Sequence, residues 1–329
     1  MIIWNSILEA RRELLKENRR TAVTIGNFDG VHRGHQAIMR RTVELTREEG
    51  GLAVVLSFSN HSDDLLGERP FLLNNPALRK QLLERQGVDA LLEVPFDRDF
   101  AAMEAETFFR QWLVEGLKIR SLVVGYDFRF GASGKGDYHL LRELADASGV
   151  HLERIPPVME GDTIISSSVI RQLLAQGQIE LANKMLGYPF TIDGPVVKGE
   201  QIGRRLGFPT ANIRIEPQYL LPCYGVYLVR MIDGEKGFYG LANVGIKPTF
   251  GQYKPLVEVY LMDVEVNLYG HHVRIEFLRF IRPENRFSGP ESLQRQINHD
   301  LETARKYLNQ LTVDSSFSGC TVNGQGTRP

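Results

Sequence analysis

The sequence predicts an α/β protein in two parts: a doubly wound parallel sheet through residue 187, followed by a small antiparallel β-barrel with a terminal helix. Three observations predict it. Apolar runs alternate with amphipathic ones from Thr21 to Leu186, the order in which crossover helices join parallel strands. From Tyr188 the texture changes to short segments rich in Val, Ile and Tyr, broken by turns such as Asp233-Gly234. Finally, Pro290–Leu311 carries Leu293, Ile297, Leu301, Ala304 and Leu308 at helical spacing. The expected division is therefore 1–187, 188–311 and a Ser-, Gly- and Thr-rich tail over 312–329 that should be disordered.

Each element has its own signal. A short helix runs from Ile7 to Asn18, Thr21–Ile25 reads as a buried strand, His35–Glu49 as a helix closed by Gly50-Gly51, and Leu52–Phe58 as a strand. Pro76–Gln86 has Asn75 at the cap, Pro76 in the first turn and Gly87 just past the end, the start and stop residues of a helix. Val88–Val94 is a strand, Ala105–Glu115 a helix stopped by Gly116, Ser121–Val124 a strand, Tyr138–Ala147 a helix and His151–Ile155 a strand. Gln172–Gln176 and Ile179–Leu186 are short helices ended by Gly177 and Gly187. Barrel strands are expected over Thr191–Val197, Gly225–Ile232, Gly237–Val244, Leu256–Met262 and Val273–Ile281.

Ligands of doubly wound sheets bind at the carboxyl ends of the strands, so the loops there carry the chemistry. After the first long strand comes Gly26-Asn27-Phe28-Asp29-Gly30-Val31-His32-Arg33-Gly34-His35. A strand, a glycine-rich turn and a helix point backbone N–H groups and a positive helix end at the ligand, which favours phosphate. On residue chemistry alone it is as readily a plain turn. Zinc is disfavoured because no cysteine lies near the two histidines, and a Walker loop is excluded by the missing Gly-Lys-Ser/Thr ending. A second loop is Ser57-Phe58-Ser59-Asn60-His61. In a third, Tyr126, Phe128 and Phe130 interleave with Asp127 and Arg129 between Gly125 and Gly131, which suits a planar aromatic ligand with polar edges; an edge strand with alternating faces is the alternative.

Two further stretches invite phosphate. In Ile165-Ser166-Ser167-Ser168-Val169-Ile170-Arg171 the serines are helix caps first, yet an arginine beside hydroxyls and open N–H groups is well made for a triphosphate. Gly199, Gly203 and Gly207 leave backbone N–H groups uncovered around Arg204, although glycines also serve the bends of a small barrel. Pro209-Thr210-Ala211-Asn212 then offers a hydroxyl and an amide oxygen on one side of an extended strand, oxygen ligands suited to Mg²⁺.

Composition narrows the class. Hydrophobic content of 43%, charged content of 24% and a net charge of −1 describe a globular chain without the basic surplus of a nucleic-acid binder. No apolar run reaches the length of a membrane span. Cys223 and Cys320 alone argue against a disulfide framework and for a reducing compartment, so a cytoplasmic enzyme is expected. A homo-oligomer is compatible with all of this.

Gly26-x-Phe28-Asp29-Gly30-Val31-His32-x-Gly34-His35 resembles the first motif of the bacterial bifunctional riboflavin kinase/FAD synthetases, within the nucleotidyltransferases that carry His-x-Gly-His. Val123-Val124-Gly125-x-Asp127-Phe128-Arg129-Phe130-Gly131 is similar to their second motif, and Ser166-Ser167-x-x-Ile170-Arg171 to the one that closes the nucleotide site. Gly203-Arg204-x-Leu206-Gly207-Phe208-Pro209-Thr210-Ala211-Asn212 resembles the flavokinase signature, and Glu258-Val259-Tyr260 and Arg282-Pro283-Glu284 follow in matching order. The resemblance spans residues 21 to 306. One departure stands out: where the family often has Pro-His-Pro, this chain has Asn60-His61-Ser62, and without the prolines the loop is expected to be more mobile.

The resemblance implies a Rossmann-like nucleotidyltransferase half and a flavokinase barrel, with ATP, riboflavin, FMN and FAD as its small molecules. In the kinase it implies Glu258 as base, ATP held by Gly199, Gly203, Arg204, Gly207 and Asn212, and Mg²⁺ on Thr210 and Asn212. In the adenylyltransferase it implies charge stabilisation by His32 and His35, ATP and phosphate contacts from Gly26, Phe28, Asp29, Gly34, Ser167 and Arg171, and flavin contacts from His61, Asp127, Phe128 and Phe130. Other functions to weigh are a nucleotidyltransferase with another acceptor, a flavin-binding carrier with silent sites, and a chain in which the Asn60-His61-Ser62 departure disables adenylyl transfer.

Overall fold

The computed structural model describes residues 1–66, 71–199, 203, 207–249, 252–264 and 266–317. They form two units. One holds Met1–Gln176, Leu181–Phe190 and Pro217–Leu220; the other holds Gly177–Glu180, Thr191–Glu216 and the chain from Leu221.

In the first unit β1 (Ile2–Trp4), β2 (Thr21–Ile25), β3 (Leu52–Phe58), β4 (Ala90–Val94), β5 (Ile119–Gly125) and β6 (His151–Ile155) make a parallel sheet in the order β1-β4-β3-β2-β5-β6. Helices α1 (Ile7–Glu17), α2 (Arg33–Glu49), α3 (Pro76–Arg85), α4 (Tyr138–Ser148), α5 (Ser167–Ala175) and α6 (Ile179–Leu186) accompany the chain. All seven residues of β3 are buried, as a strand covered on both faces requires. At α3 the Asn75 side chain accepts from the Leu78 N–H at 2.7 Å ahead of Pro76, a cap worth about 1 kcal/mol. The strands build outward from β2 through β3 to β4, and β5 then returns to the other side of β2. Such a reversal sends successive connections to opposite faces and opens a crevice at the carboxyl ends. The glycine turn after β2 and the aromatic loop after β5 flank that crevice.

Two elements differ from expectation. β1 is a three-residue edge strand with Ile2 and Ile3 exposed and only Trp4 buried, too short to show a period. The helix expected over Ala105–Glu115 is α-helical only at Ala105–Thr107 and continues as a π-helix over Phe108–Gly116, with the Leu117 N–H bonded to the Trp112 carbonyl at 2.8 Å. The wider turn buries both Phe108 and Leu113, five positions apart, and Gly116 admits Ile7, whose side chain would lie 2.6 Å from any Cβ there.

A hairpin, β7 (Met159–Glu160) and β8 (Thr163–Ile164), precedes α5. Beyond it β9 (Phe190–Val197), β10 (Thr210–Ile213), β11 (Gly225–Asp233), β12 (Lys236–Thr249), β13 (Gln252–Leu261) and β14 (His272–Pro283) close a barrel in the order β10-β13-β12-β11-β14-β9. Alternate residues, among them Ile213, Tyr227, Val229, Ala242, Val244, Val257, Val259 and Phe277, have no exposed surface and fill its lumen, as side chains must in so narrow a barrel. The other set faces outward. There α7 (Pro290–Phe317) covers Val226, Leu228 and Leu241 with Leu301 and Ala304. This helix runs past Leu311, so the first residues of the expected tail are helical; residues 318–329, with Cys320, lie outside the described residues.

Candidate active sites

The turn after β2 is held in an unusual shape. Gly30 has φ +80°, and a Cβ there would lie 2.7 Å from Leu73, so glycine is required. Phe28 and Val31 also have positive φ, +50° and +35°, at a cost of roughly 1–3 kcal/mol each that tertiary contacts must offset. Those contacts are present: Phe28 and Val31 are buried, the Tyr188 hydroxyl donates to the Gly30 carbonyl at 2.5 Å, and the Ser167 hydroxyl donates to the Asp29 carbonyl at 2.9 Å. Asp29 points inward. Its carboxylate accepts from the Leu73 N–H and from Arg171 at 2.5 Å, while Arg171 Nε donates to the Phe71 carbonyl at 2.9 Å. Burial pushes the Asp29 carboxyl above the usual carboxylate range, and the adjacent guanidinium pulls it partly back.

His32 caps α2, its Nδ1 accepting from the His35 N–H at 3.4 Å. The two imidazoles stack with centroids 3.6 Å apart, and the edge of Phe28 meets His35 at 5.2 Å. Desolvation lowers His32 to about 4 and His35 well below its ordinary value, with Arg171 and the neighbouring ring adding to the effect. Both rings are thus neutral near pH 7. His35 Nδ1 is buried and has no hydrogen-bond partner among the described residues. Around the pair lies a cavity of about 190 Å³ lined by Gly34, Ser166, Ser167, Asp127 and the segment Ile155–Val158.

A second cavity of about 270 Å³ lies on the other side of the β5 loop. Phe128 and Phe130, stacked at 5.8 Å, line it with Phe58, Phe96, Phe100, Met103 and Phe108, and with Gly26 and Asn27. Phe128 and Phe130 therefore share a wall, whereas Asp127 of the same loop turns toward the histidines. The sequence reading missed Phe96, Phe100, Met103 and Phe108; their near-helical spacing was the available signal, and it reads equally as ordinary packing.

His61 lies with Asn27, Asp29, Asn74 and Arg79 around a smaller pocket of about 90 Å³. Its loop is fastened despite the missing prolines. Asn60 donates to the Phe96 carbonyl at 3.0 Å and accepts from the Phe96 N–H at 2.8 Å, and Asn27 donates to the Ser62 hydroxyl at 2.9 Å. These paired side-chain bonds tie Asn60 to a neighbouring backbone where the family often has proline.

In the barrel unit a cavity of about 300 Å³ opens between the outward face and α7. Strand register explains its lining: Glu258 pairs with Asn243 and Asn243 with Val226, one outward row that Asn212, paired with Glu258, continues beyond the cavity; Thr210, Tyr260 and Leu241 form the next. Leu293, Ile297 and Asp300 of α7 face them across the cavity, with Arg282 and Phe287 at its side. Asp300 is buried and accepts from Arg282 Nε at 2.9 Å and from Gln296 at 2.8 Å, a pair the sequence reading did not single out as functional. Gly203 lines the same cavity, 3.5 Å from the Thr210 hydroxyl to its ideal Cβ position. Gly199 packs on the Asn212 amide so closely that a Cβ would lie 2.4 Å from it. Asn212 Oδ1 is buried without a hydrogen-bond partner among the described residues. Gly207, at φ +83°, has open space around its Cβ position, and Arg204 lies outside the described residues.

Known proteins resemble both units. The FAD synthetase family profile matches residues 14–169 and the riboflavin kinase profile residues 186–308. A bifunctional riboflavin kinase/FMN adenylyltransferase of Escherichia coli (strain K12) is 40% identical over 289 residues, 87% of this chain and 92% of the relative. One of the same description from Bacillus subtilis (strain 168) is 35% identical over 305 residues, 91% and 96% of the two chains. Among solved structures, a macrolide-efflux protein from Streptococcus pneumoniae matches with a TM-score of 0.80 and 31% identity over 87% of this chain and 94% of that one, a likeness of fold. No helix among the described residues is long and apolar enough to cross a membrane.

Proposed function

The chain belongs to the bifunctional riboflavin kinase/FMN adenylyltransferase family and carries both activities, and from that premise we propose how its residues divide the two transfers. Riboflavin is phosphorylated in the barrel unit. The isoalloxazine lies between the outward barrel face and α7, against apolar Leu293 and Ile297, and its ribityl chain runs toward Glu258. Glu258 takes the proton of the terminal hydroxyl as that oxygen attacks the γ-phosphorus of ATP, and ADP leaves. The row of Asn212, Glu258 and Asn243 on one outward face is the observation that carries this assignment.

Mg²⁺ fits the same corner, because Asn212 Oδ1 is a buried acceptor without a donor among the described residues and Thr210 shares its face of β10. Thr210 and Asn212 would hold it, and it would neutralise charge on the ATP phosphates. Gly207 leaves backbone open near those phosphates, while Gly199 and Gly203 let the chain pack closely on Asn212 and on the Phe208 carbonyl.

FMN is adenylylated in the first unit. Its phosphate oxygen attacks the α-phosphorus of a second ATP and pyrophosphate leaves, so no base is needed. Neutral His32 and His35 act instead as N–H donors toward the charge growing on the α-phosphate and leaving group. Ser167 and the start of α2 meet the phosphates, and the flavin ring enters the phenylalanine-lined cavity against Phe128 and Phe130. Asp29 and Phe28 serve from beneath the turn, Asp29 by holding Arg171 and Phe28 by backing His35. A cytoplasmic setting belongs to the same reading.

Incubation with riboflavin and MgATP followed by chromatography of the flavins tests it. FAD is expected; accumulation of FMN alone would overturn the assignment of the first unit, and unchanged riboflavin that of the barrel.

A further inference from the structure

Arg33 stands between the two histidines, yet its side chain does not share their cavity. His32, Gly34 and His35 line the space of about 190 Å³, whereas Arg33 reaches the β7–β8 hairpin and meets Glu160 at 2.5 Å, with a second bond to the Lys184 carbonyl at 3.3 Å. The hairpin is an extension of the opposite wall of that cavity. Pro156, Pro157 and Val158 lead into it and Ile165 and Ser166 lead out, all of them lining residues, and the Ile165 N–H bonds to the Val158 carbonyl at 2.9 Å across its base. Its tip turns at Gly161 with φ +58° and open space around the Cβ position, so little else packs against the tip. The ion pair therefore ties the start of α2 to the far wall.

We propose that Arg33 and Glu160 are positioning residues that set the width of the nucleotide cavity, holding the Pro156–Ile165 wall against the amino end of α2 so that ATP meets a preformed site for adenylyl transfer. The proposal rests on the first unit being the adenylyltransferase. It separates two functions of one short motif: the histidines work on the phosphate, and the arginine between them works on the wall. Glu160 also offsets the positive charge of Arg33 at a helix end that disfavours cations. Both side chains are partly exposed, 38% and 27%, so the pair is a modest contributor to overall stability and its loss should leave the protein folded.

Steady-state kinetics of the full chain test this. Glu160→Gln and Arg33→Gln should each raise KM for ATP in FMN adenylylation about fivefold, with kcat changed less than twofold and riboflavin phosphorylation unaltered. The charge reversal Arg33→Glu/Glu160→Arg should recover most of the lost affinity. An unchanged KM in the single variants, with His35→Ala still abolishing adenylylation, would sink the clamp and leave the site standing. If Arg33→Gln is damaging and Glu160→Gln is silent, or if the reversal fails to rescue, Arg33 touches the nucleotide itself and the proposal is wrong. If His35→Ala leaves adenylylation intact, the reading of the first unit fails, and the clamp with it.

Discussion

The carboxylate of Asp29 and the guanidinium of Arg171 meet at 2.5 Å beneath the turn after β2, joining residues that are 142 positions apart. The same carboxylate accepts the Leu73 N–H, and the Ser167 hydroxyl bonds to the Asp29 carbonyl. Turn and α5 are thereby fixed to one another through a single residue. Removing one partner leaves a nearly buried charge unmatched, which costs about 3 kcal/mol or more. Arg171→Gln, which leaves the Asp29 carboxylate unmatched, should accordingly lower the stability of the first unit by about that amount and sharply reduce FMN adenylylation, measured by urea unfolding and by FAD formation; a stable, fully active variant would show that the pair fastens nothing.

His35 is buried against His32 and Phe28, with one ring nitrogen lacking a partner among the described residues. Loss of one donor to a developing phosphate charge typically costs about 10²–10³ in kcat. His35→Ala should slow FMN-to-FAD conversion by that factor while riboflavin phosphorylation continues at its normal rate. Loss of both activities in a folded variant would contradict separate sites.

Glu258 answers for the other half. Without its carboxylate the attacking hydroxyl keeps its proton, and a general base contributes about 10²–10⁴. Glu258→Gln should therefore abolish FMN formation from riboflavin and leave supplied FMN convertible to FAD, which two separate end-point assays on one preparation will distinguish.

The folded His32 takes up a proton only at about pH 4, against 6.5 for the ordinary side chain. Between those values the unfolded chain holds the extra proton, so this residue's contribution to stability is complete above pH 6.5 and is lost as pH falls toward 4. At about 1.4 kcal/mol per pH unit, the loss across the window is roughly 3 kcal/mol. Urea midpoints taken from pH 7 down to 4 should fall more steeply in the native protein than in His32→Gln; parallel slopes would show that His32 stays solvated in the fold.

Sequence and structure agree where a period runs long enough to be read. Continuous burial in Leu52–Phe58, the cap and stop residues around Pro76–Arg85 and the alternation in β13 are local properties, and local properties survive folding. What escaped notice depends on residues distant in the chain. A three-residue β1 has meaning only beside β4, and the π turn over Phe108–Gly116 is sustained by packing rather than by propensity. Asp127, adjacent to Phe128 in sequence, belongs to a different cavity because the loop passes between the two spaces. Arg282 and Asp300 become partners only once α7 lies on the barrel. Asn60, in the place of a proline, braces its loop through Phe96, a contact invisible along the chain.

Along β13, Val257 and Val259 belong to the sealed lumen while Glu258 and Tyr260 look out on the cavity. Neighbouring codons on this strand therefore answer to different demands. Substitutions at the inward positions are filtered by whether the barrel closes at all, and those at the outward positions by what the closed barrel can hold. A lineage could exchange the second set to accept an altered ring or sugar chain while leaving the first untouched, so that new substrate preferences arise on an old framework without first weakening it.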